Sequence, residues 1–181
     1  MLMTRLDRQW RDARTLTDLG HATALWLEGG LRRHPNGYDT PAAETRSLIP
    51  TLAAANRAGY VTDQSQPGGV GPGSGRAWWE QRAAVDGWIA DPRLLGRLLA
   101  AARRDGLIAS TGGKPIVVTR RNGEPHTDFG GDIPPRHLRG IWRGVHPAAI
   151  DEIQRATHLA LIDPAWGPSD RLWGAIDKAV R

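Results

Sequence analysis

Mainly apolar residues recur at helical spacing near the start of the chain, over residues 15–29. Thr15 followed three residues later by Asp18 is a helix-capping pattern, and Gly29 suits the C-terminal end. The face predicted to be buried carries Leu16, Leu19, Thr23 and Trp26. Residues 4–14 allow the same helix to extend backwards along the chain.

A second helical segment follows over residues 40–58. Thr40 and Pro41 are typical of a helix start, and Gly59 is typical of a helix end. Its inward positions are Leu48, Leu52 and Ala55. Pro50 lies inside the segment, so it must kink the helix or begin a new one. The two segments predict an N-terminal helical pair.

From residue 60 the pattern changes to strands. Residues 60–66 begin with three β-formers, whereas residues 67–75 are almost entirely Gly and Pro and predict a flexible loop. Residues 77–90 fit either a strand or a helix, and the strand is favoured because Asp91-Pro92 opens another helix directly afterwards. Further elements are predicted as a helix over 92–105, strands over 107–110, 116–120, 124–129 and 158–162, a loop over 130–146, and helices from about 147 and 169.

These elements predict an α/β or α+β fold, with a mixed β-sheet flanked by helices in a single domain over residues 1–181. If the strands ending near Asp63, Ser110 and Asp163 run parallel, their polar ends meet at one edge of the sheet.

Composition narrows the function classes. The chain has no cysteine, which excludes disulfides and thiolate chemistry, and it has no apolar run long enough to cross a bilayer. Residues 1–5 lack the pattern of a signal peptide, so a cytoplasmic location without a membrane partner is expected. The net charge of +5 comes from 22 arginines and two lysines mixed with 19 acidic residues, which favours a solvated mixed-charge surface.

Polar side chains crowd around the end of the strand over residues 60–66. The predicted ligand-binding residues are Asp63, Ser65, Gln66, Gln81, Arg82, Trp78 and Trp79. Together they offer hydrogen-bond donors and acceptors, a guanidinium fork and aromatic faces, which suit a small polar or anionic ligand. Asp63 is the candidate general base, although the same residues also suit a strand-to-loop exit that binds nothing.

Three alternatives remain open, and no cofactor is predicted in any of them. Arginines, together with the tryptophans near loops (Trp78, Trp79, Trp142 and Trp166), suit a nucleic-acid-binding protein. His126 and Asp128, with a later histidine that is His137, His146 or His158, resemble a two-histidine, one-carboxylate metal site, as in a metal-dependent enzyme. Exposed Trp and Leu side chains suit a protein-interaction module. The glycine-rich segment lacks the lysine of a phosphate-binding loop.

Several runs in the first two thirds of the chain resemble a family of uncharacterised actinobacterial proteins. The resembling runs are Trp10–Leu19, Trp26–Gly29, Asn56–Thr62, Ser65–Gly68 and Gln81–Val85. The resemblance covers about residues 10–110 and implies no activity. Its polar motifs coincide with the predicted site.

Overall fold

The computed structural model describes residues 7–181. These residues form seven α-helices: α1 (Arg8–Asp12), α2 (Leu16–Leu27), α3 (Ile49–Ala58), α4 (Pro92–Arg104), α5 (Pro135–Ile141), α6 (Pro147–Arg155) and α7 (Arg171–Val180). Short 3₁₀ helices span Ala43–Leu48 and Ser74–Arg76. None of the helices in this part of the chain is long and apolar enough to cross a membrane.

The predicted helical pair is α2 and α3. Thr15 and Asp18 form the reciprocal capping box of α2, since each side chain accepts a hydrogen bond from the other residue's backbone. Pro50 lies in the first turn of α3 and separates it from the preceding 3₁₀ helix, as its missing N–H requires. Gly59 ends α3 in the left-handed conformation, with φ of 103°. The predicted backward extension of α2 is a separate helix, α1, and residues 4–6 lie outside the described part.

The sheet contains six strands among the described residues. They are β1 (Tyr60–Pro72), β2 (Trp78–Ile89), β3 (Ile108–Ser110), β4 (Ile116–Arg121), β5 (Glu124–Phe129) and β6 (Thr157–Ile162). Their order is β3-β6-β2-β4-β5, and β1 pairs with β2. The β1–β2 hairpin is joined to the rest of the sheet through β2, which pairs with β4 near its start and with β6 near its end.

The helices and the sheet share one large apolar core, as expected for an α+β fold. Val85 and Leu161 project from the sheet into this core, where they meet buried residues of the helices, such as Leu52 and Leu94. The neighbouring side chains alternate to the opposite face of the strands. There, Ala84, Val118, Phe129, Ala160 and Ile162 form a smaller apolar cluster.

The α+β fold class and the strand over residues 77–90 are confirmed, but the hypothesis of parallel strands is wrong. Every pair of neighbouring strands in residues 7–181 is antiparallel, and β1 continues past Asp63 to Pro72, so the expected set of parallel strand ends does not exist.

Two predicted loops are also corrected. Residues 67–72 continue β1 and pair with β2, so only the segment after Pro72 turns the hairpin. Proline is tolerated there because β1 pairs only with β2 and leaves its other edge free of the ladder. Within residues 130–146, α5 spans Pro135–Ile141, because a proline suits the first turn of a helix.

Candidate functional site

A cleft of about 260 Å³ opens between β1 and the segment that joins α2 to α3. We call it the β1 cleft. Residues 62–66 of β1 form one wall, and residues of the 34–45 segment, including His34 and Asn36, form the other. Trp26 of α2 and Phe129 of β5 complete the lining. The sequence predicted the β1 side of this cleft, whereas the 34–45 segment had been interpreted only as a loop and a helix start.

Asp63 occupies an irregular position on β1. The register with β2 shifts between Thr62 and Gln64, which leaves Asp63 as the extra residue of a β-bulge. Bulges commonly re-aim a side chain next to a functional site. Asp63 lines the β1 cleft, and its Oδ1 atom is buried without a hydrogen-bond partner among the described residues.

Burial raises the pKa of Asp63 to about 6, although the Asn36 side chain and the charge of His137 oppose the rise. The carboxylate is consequently a stronger base than an exposed aspartate, while it remains mostly ionised at neutral pH. A general base requires a raised pKa of this kind, and Asp63 is the residue predicted from the sequence for that role.

A second cavity of about 230 Å³ lies behind Asp63, and we call it the His158 cavity. Asp63 and Gln64 line both cavities, while Asp86 and His158 line this one but not the β1 cleft. The Gln64 backbone N–H donates to Oδ1 of Asp86 at 3.3 Å. The His158 Nε2 atom lies 3.7 Å from the Asp86 Oδ2 atom, which is too long for a hydrogen bond.

Asp86 and His158 are held neutral rather than as an ion pair. Burial raises the pKa of Asp86 to about 8, and the charge of Asp63 adds to the rise. Burial lowers the pKa of His158, against the opposing charge of Asp132. Both shifts favour the uncharged form, which agrees with the long separation of the two groups. Neither ring nitrogen of His158 has a hydrogen-bond partner in residues 7–181.

His34 closes the inner end of the β1 cleft inside a cage of indole rings. Its ring centre lies 5.0 Å from that of Trp10, 4.9 Å from that of Trp26 and 5.3 Å from that of Trp142. Burial lowers the pKa of His34 to about 4, although a hydrogen bond with Asn36 opposes the shift. His34 is therefore uncharged at neutral pH and supplies no positive charge to the cleft.

Residues 5–181 match the model of DUF6919, a domain of unknown function. The chain belongs to this family. An uncharacterised family was expected from residues 10–110, and the match runs further, to residue 181. No curated protein matches the chain in sequence. The family assignment for DUF6919 carries no activity, so the chemistry must be argued from the cavities themselves.

In this DUF6919 domain, Ser65 and Gln66 line the β1 cleft together with Asp63. The Gln66 amide is already satisfied by the protein. Its Nε2 atom donates to the carbonyl oxygens of Arg82 at 2.8 Å and Val118 at 3.0 Å, and its Oε1 atom accepts from the Thr119 hydroxyl at 3.2 Å. Gln66 thus ties β1, β2 and β4 together and has little capacity left for a ligand.

The other predicted ligand residues lie outside the β1 cleft. Arg82 stacks on Trp166, with its guanidinium carbon 4.3 Å from the ring centre, and Arg120 lies 4.4 Å from the same centre. We call these three residues the Arg82–Trp166–Arg120 cluster. Arg82 also donates to the carbonyl oxygen of Val117 at 3.3 Å. Burial and the charge of Arg120 lower the pKa of Arg82, against the charge of Asp163.

The remaining predicted residues lie on β2 near the turn of the β1–β2 hairpin and do not line the cleft; they are Gln81, Trp78 and Trp79. The Gln81 carbonyl oxygen accepts from the Gly167 N–H at 2.9 Å. Trp79 packs edge-on against His126 at 4.8 Å. Trp78 is half exposed near the hairpin end. The structure therefore separates the seven predicted residues into three in the cleft and four beyond it.

The positions of these residues add little support for a metal site or for an interaction module. His126 and Asp128 are exposed on β5, and residues 7–181 contain no group of three His, Cys, Asp or Glu side chains placed to hold a metal ion. For an interaction module, the exposed large apolar residues are Leu25, Tyr38, Val70 and Trp78. Trp142 is buried, so it cannot stack on a nucleic-acid base.

Proposed function

We propose that this protein binds a small polar molecule in the β1 cleft. The observation that carries the proposal is the buried Asp63 Oδ1 atom, which lines the cleft without a partner among the described residues. A buried acceptor left unpaired costs about 1–3 kcal/mol, so a ligand that donates a hydrogen bond there is stabilised. Thr23, Asn36 and Ser65 add donors and acceptors around the same space.

The size of the cleft limits the ligand. Ligand sites usually enclose roughly 300–1,000 Å³, and the β1 cleft, at about 260 Å³, lies just below that range. A compact molecule fits this space better than a nucleotide or an oligosaccharide. Aromatic side chains at Trp26 and Phe129 supply the apolar part of the lining that such sites typically have.

Replacement of Ala42 by Trp should abolish ligand binding. Ala42 is exposed at the mouth of the cleft and lines it, so an indole ring there occupies the ligand's space without disturbing the core. The measurement is the thermal shift of the protein with a panel of small amines, alcohols and carboxylates. A compound at 100 times its dissociation constant adds about 2.7 kcal/mol of stability, which is easily resolved.

The matched control is Ala43→Trp. Ala43 is also exposed, follows Ala42 directly and does not line the cleft. This variant should keep the ligand-induced shift, and both variants should melt close to the unmodified protein. A compound that stabilises Ala42→Trp as much as the unmodified protein binds elsewhere, and the cleft proposal then fails.

A nucleic-acid-binding function is the second candidate, and the Arg82–Trp166–Arg120 cluster favours it. Two guanidiniums on one indole ring offer charge for phosphate together with a stacking surface. Against this, Glu80 lies directly across the ladder from Arg120. The negative charge there offsets part of the positive charge of the cluster.

Arg120→Gln should weaken binding to single-stranded DNA and reduce its dependence on salt. Each phosphate contact contributes a slope of roughly 0.7 log units of affinity per log unit of salt concentration, so the slope should fall by about that amount. Arg93→Gln, an exposed change on α4, should leave the slope unaltered. Fluorescence anisotropy over a salt titration makes the measurement. Absence of binding at low salt rejects this function.

A further inference from the structure

The charges around the β1 cleft differ from those of the chain as a whole. The protein carries 24 Lys and Arg residues against 19 acidic residues. Yet the only charged side chains among the described residues that line the cleft are the carboxylates of Glu44 and Asp63. His34, which also lines it, is kept neutral by burial, which lowers its pKa to about 4. The cleft is therefore negative in a positive protein.

The Asp63 carboxylate has room for a positively charged partner. Its Oδ1 atom is buried and has no hydrogen-bond partner in residues 7–181, and no Lys or Arg from this part of the chain forms a salt bridge with it. A buried carboxylate oxygen without a partner is costly, and an opposite charge within hydrogen-bond distance removes much of that cost. The Asn36 side chain and the charge of His137 already act on the Asp63 carboxyl group, but they leave its Oδ1 atom without a partner.

The aromatic lining suits the same kind of ligand. Trp26 and Tyr38 line the cleft on the side opposite β1, and Phe129 lines it from β5. The faces of aromatic rings attract cations, most strongly for indole, and they accept an apolar ligand body equally well. A carboxylate combined with aromatic rings and without a cationic side chain is a surface that binds ammonium or guanidinium groups.

We propose that the β1 cleft binds a small organic cation, a molecule whose ammonium or guanidinium group donates hydrogen bonds to Asp63. The inference rests on the proposed function, because it names the chemical class of the molecule in the same cleft. Carboxylate ligands are disfavoured there, since they add a third negative charge beside those of Asp63 and Glu44.

The test compares ligands that share a skeleton and differ only in charge. The probes are benzylamine, benzyl alcohol and benzoate in one set, and propylamine, propanol and propionate in a second, with propylguanidine added for the guanidinium group. Thermal shift and isothermal titration calorimetry measure binding to the full chain. The amines or the guanidine should bind, and the matched carboxylates should not.

Asp63→Asn should weaken binding of the cationic probes by about ten- to hundredfold, the loss expected for one charge-assisted hydrogen bond. Asp151→Asn makes the same change of charge at an exposed position on α6 and should leave binding unaltered. Should Asp63→Asn fail to fold, Asp63→Ser removes the charge with a smaller side chain. Retention of amine affinity in a folded Asp63 variant overturns the inference.

Proton release gives an independent readout. A cation beside Asp63 lowers the pKa of Asp63 and of Asp86, because the charge of Asp63 is part of what raises the pKa of Asp86. The buried His158 responds with the same sign, since a nearby cation adds to the lowering of its pKa by burial. Binding near pH 7 should therefore release protons, which calorimetry in two buffers of different ionisation enthalpy detects. Proton uptake overturns the inference.

The outcomes separate this inference from the proposed function. If the alcohols or carboxylates bind better than the amines, and Ala42→Trp abolishes that binding, the cleft binds ligands but the cation class is wrong. If no probe in any set binds, both the cation class and the function proposed for the cleft are rejected.

Discussion

Asp86→Asn should raise the free energy of unfolding by about 5 kcal/mol near pH 8. Asp86 is only 3% exposed, and burial followed by the charge of Asp63 raises its pKa from 3.8 to about 8. Between pH 3.8 and about pH 8, the unfolded chain binds no proton at Asp86, whereas the folded protein binds one. The free energy of unfolding must then fall as pH rises through this window, and Asn removes the dependence.

Urea unfolding at several pH values measures this effect. The unmodified protein should lose stability from about pH 4 to about pH 8 through Asp86, and the variant should show a flatter profile. His34 acts in the opposite direction at lower pH. Its pKa falls from 6.5 in the unfolded chain to about 4 in the folded protein, so its contribution is present above 6.5 and is lost as pH falls.

Asp151→Asn is the matched control, because Asp151 is exposed and should change the profile by less than about 0.5 kcal/mol. Destabilisation by Asp86→Asn would lead to the opposite conclusion about the charge of Asp86. If Asp86→Asn destabilises the protein near pH 8, Asp86 is ionised there and paired with a charged His158. That would contradict the neutral state inferred from the 3.7 Å separation.

Local sequence signals were sufficient for most of the helices and for the hairpins. The capping box at Thr15 and the glycine after α3 specify helix ends through backbone hydrogen bonds that involve only neighbouring residues. The Asn122-Gly123 turn between β4 and β5 works in the same way, since both residues adopt the positive φ that such turns require. Signals of this kind are readable because no distant residue is needed to satisfy them.

The second half of β1 could not be predicted, because its conformation depends on a distant partner. Residues 67–72 contain no strong β-former except Val70, and they are extended because β2 pairs with them along the whole hairpin. Strand direction was also inaccessible from sequence. The hypothesis of parallel strand ends failed although most of the strands themselves were predicted.

Part of the candidate site was predicted from the sequence, but for a reason that differs from the one in the structure. Asp63 and Ser65 were selected because they follow β-formers, whereas the structure places them in the cleft through a bulge within a longer strand. Asp86 was missed, and His158 was considered only as a metal ligand or a core histidine. A signal was present for Asp86, since it is an acidic residue among apolar neighbours on a strand, which is a buried position that ordinarily needs a partner.

Gln66→Leu should destabilise the protein by about 2–4 kcal/mol, which distinguishes a structural role from the ligand-orienting role expected from the sequence. Gln66 is 6% exposed, and its amide provides the hydrogen bonds to the carbonyl oxygens of Arg82 and Val118. Leucine is one atom shorter and has no donor, so both carbonyl groups lose their side-chain partner. The Thr119 hydroxyl loses its acceptor as well.

Gln64→Leu provides the comparison, because Gln64 lies two residues away, lines the same cleft and has an exposed side chain. Its free energy of unfolding in urea should stay within about 0.5 kcal/mol of that of the unmodified protein. If Gln66→Leu is equally stable but no longer binds ligands in the cleft, the amide of Gln66 is available to a ligand. Its hydrogen bonds to β2 and β4 would then contribute little to folding, and the ligand-orienting role would be the correct one.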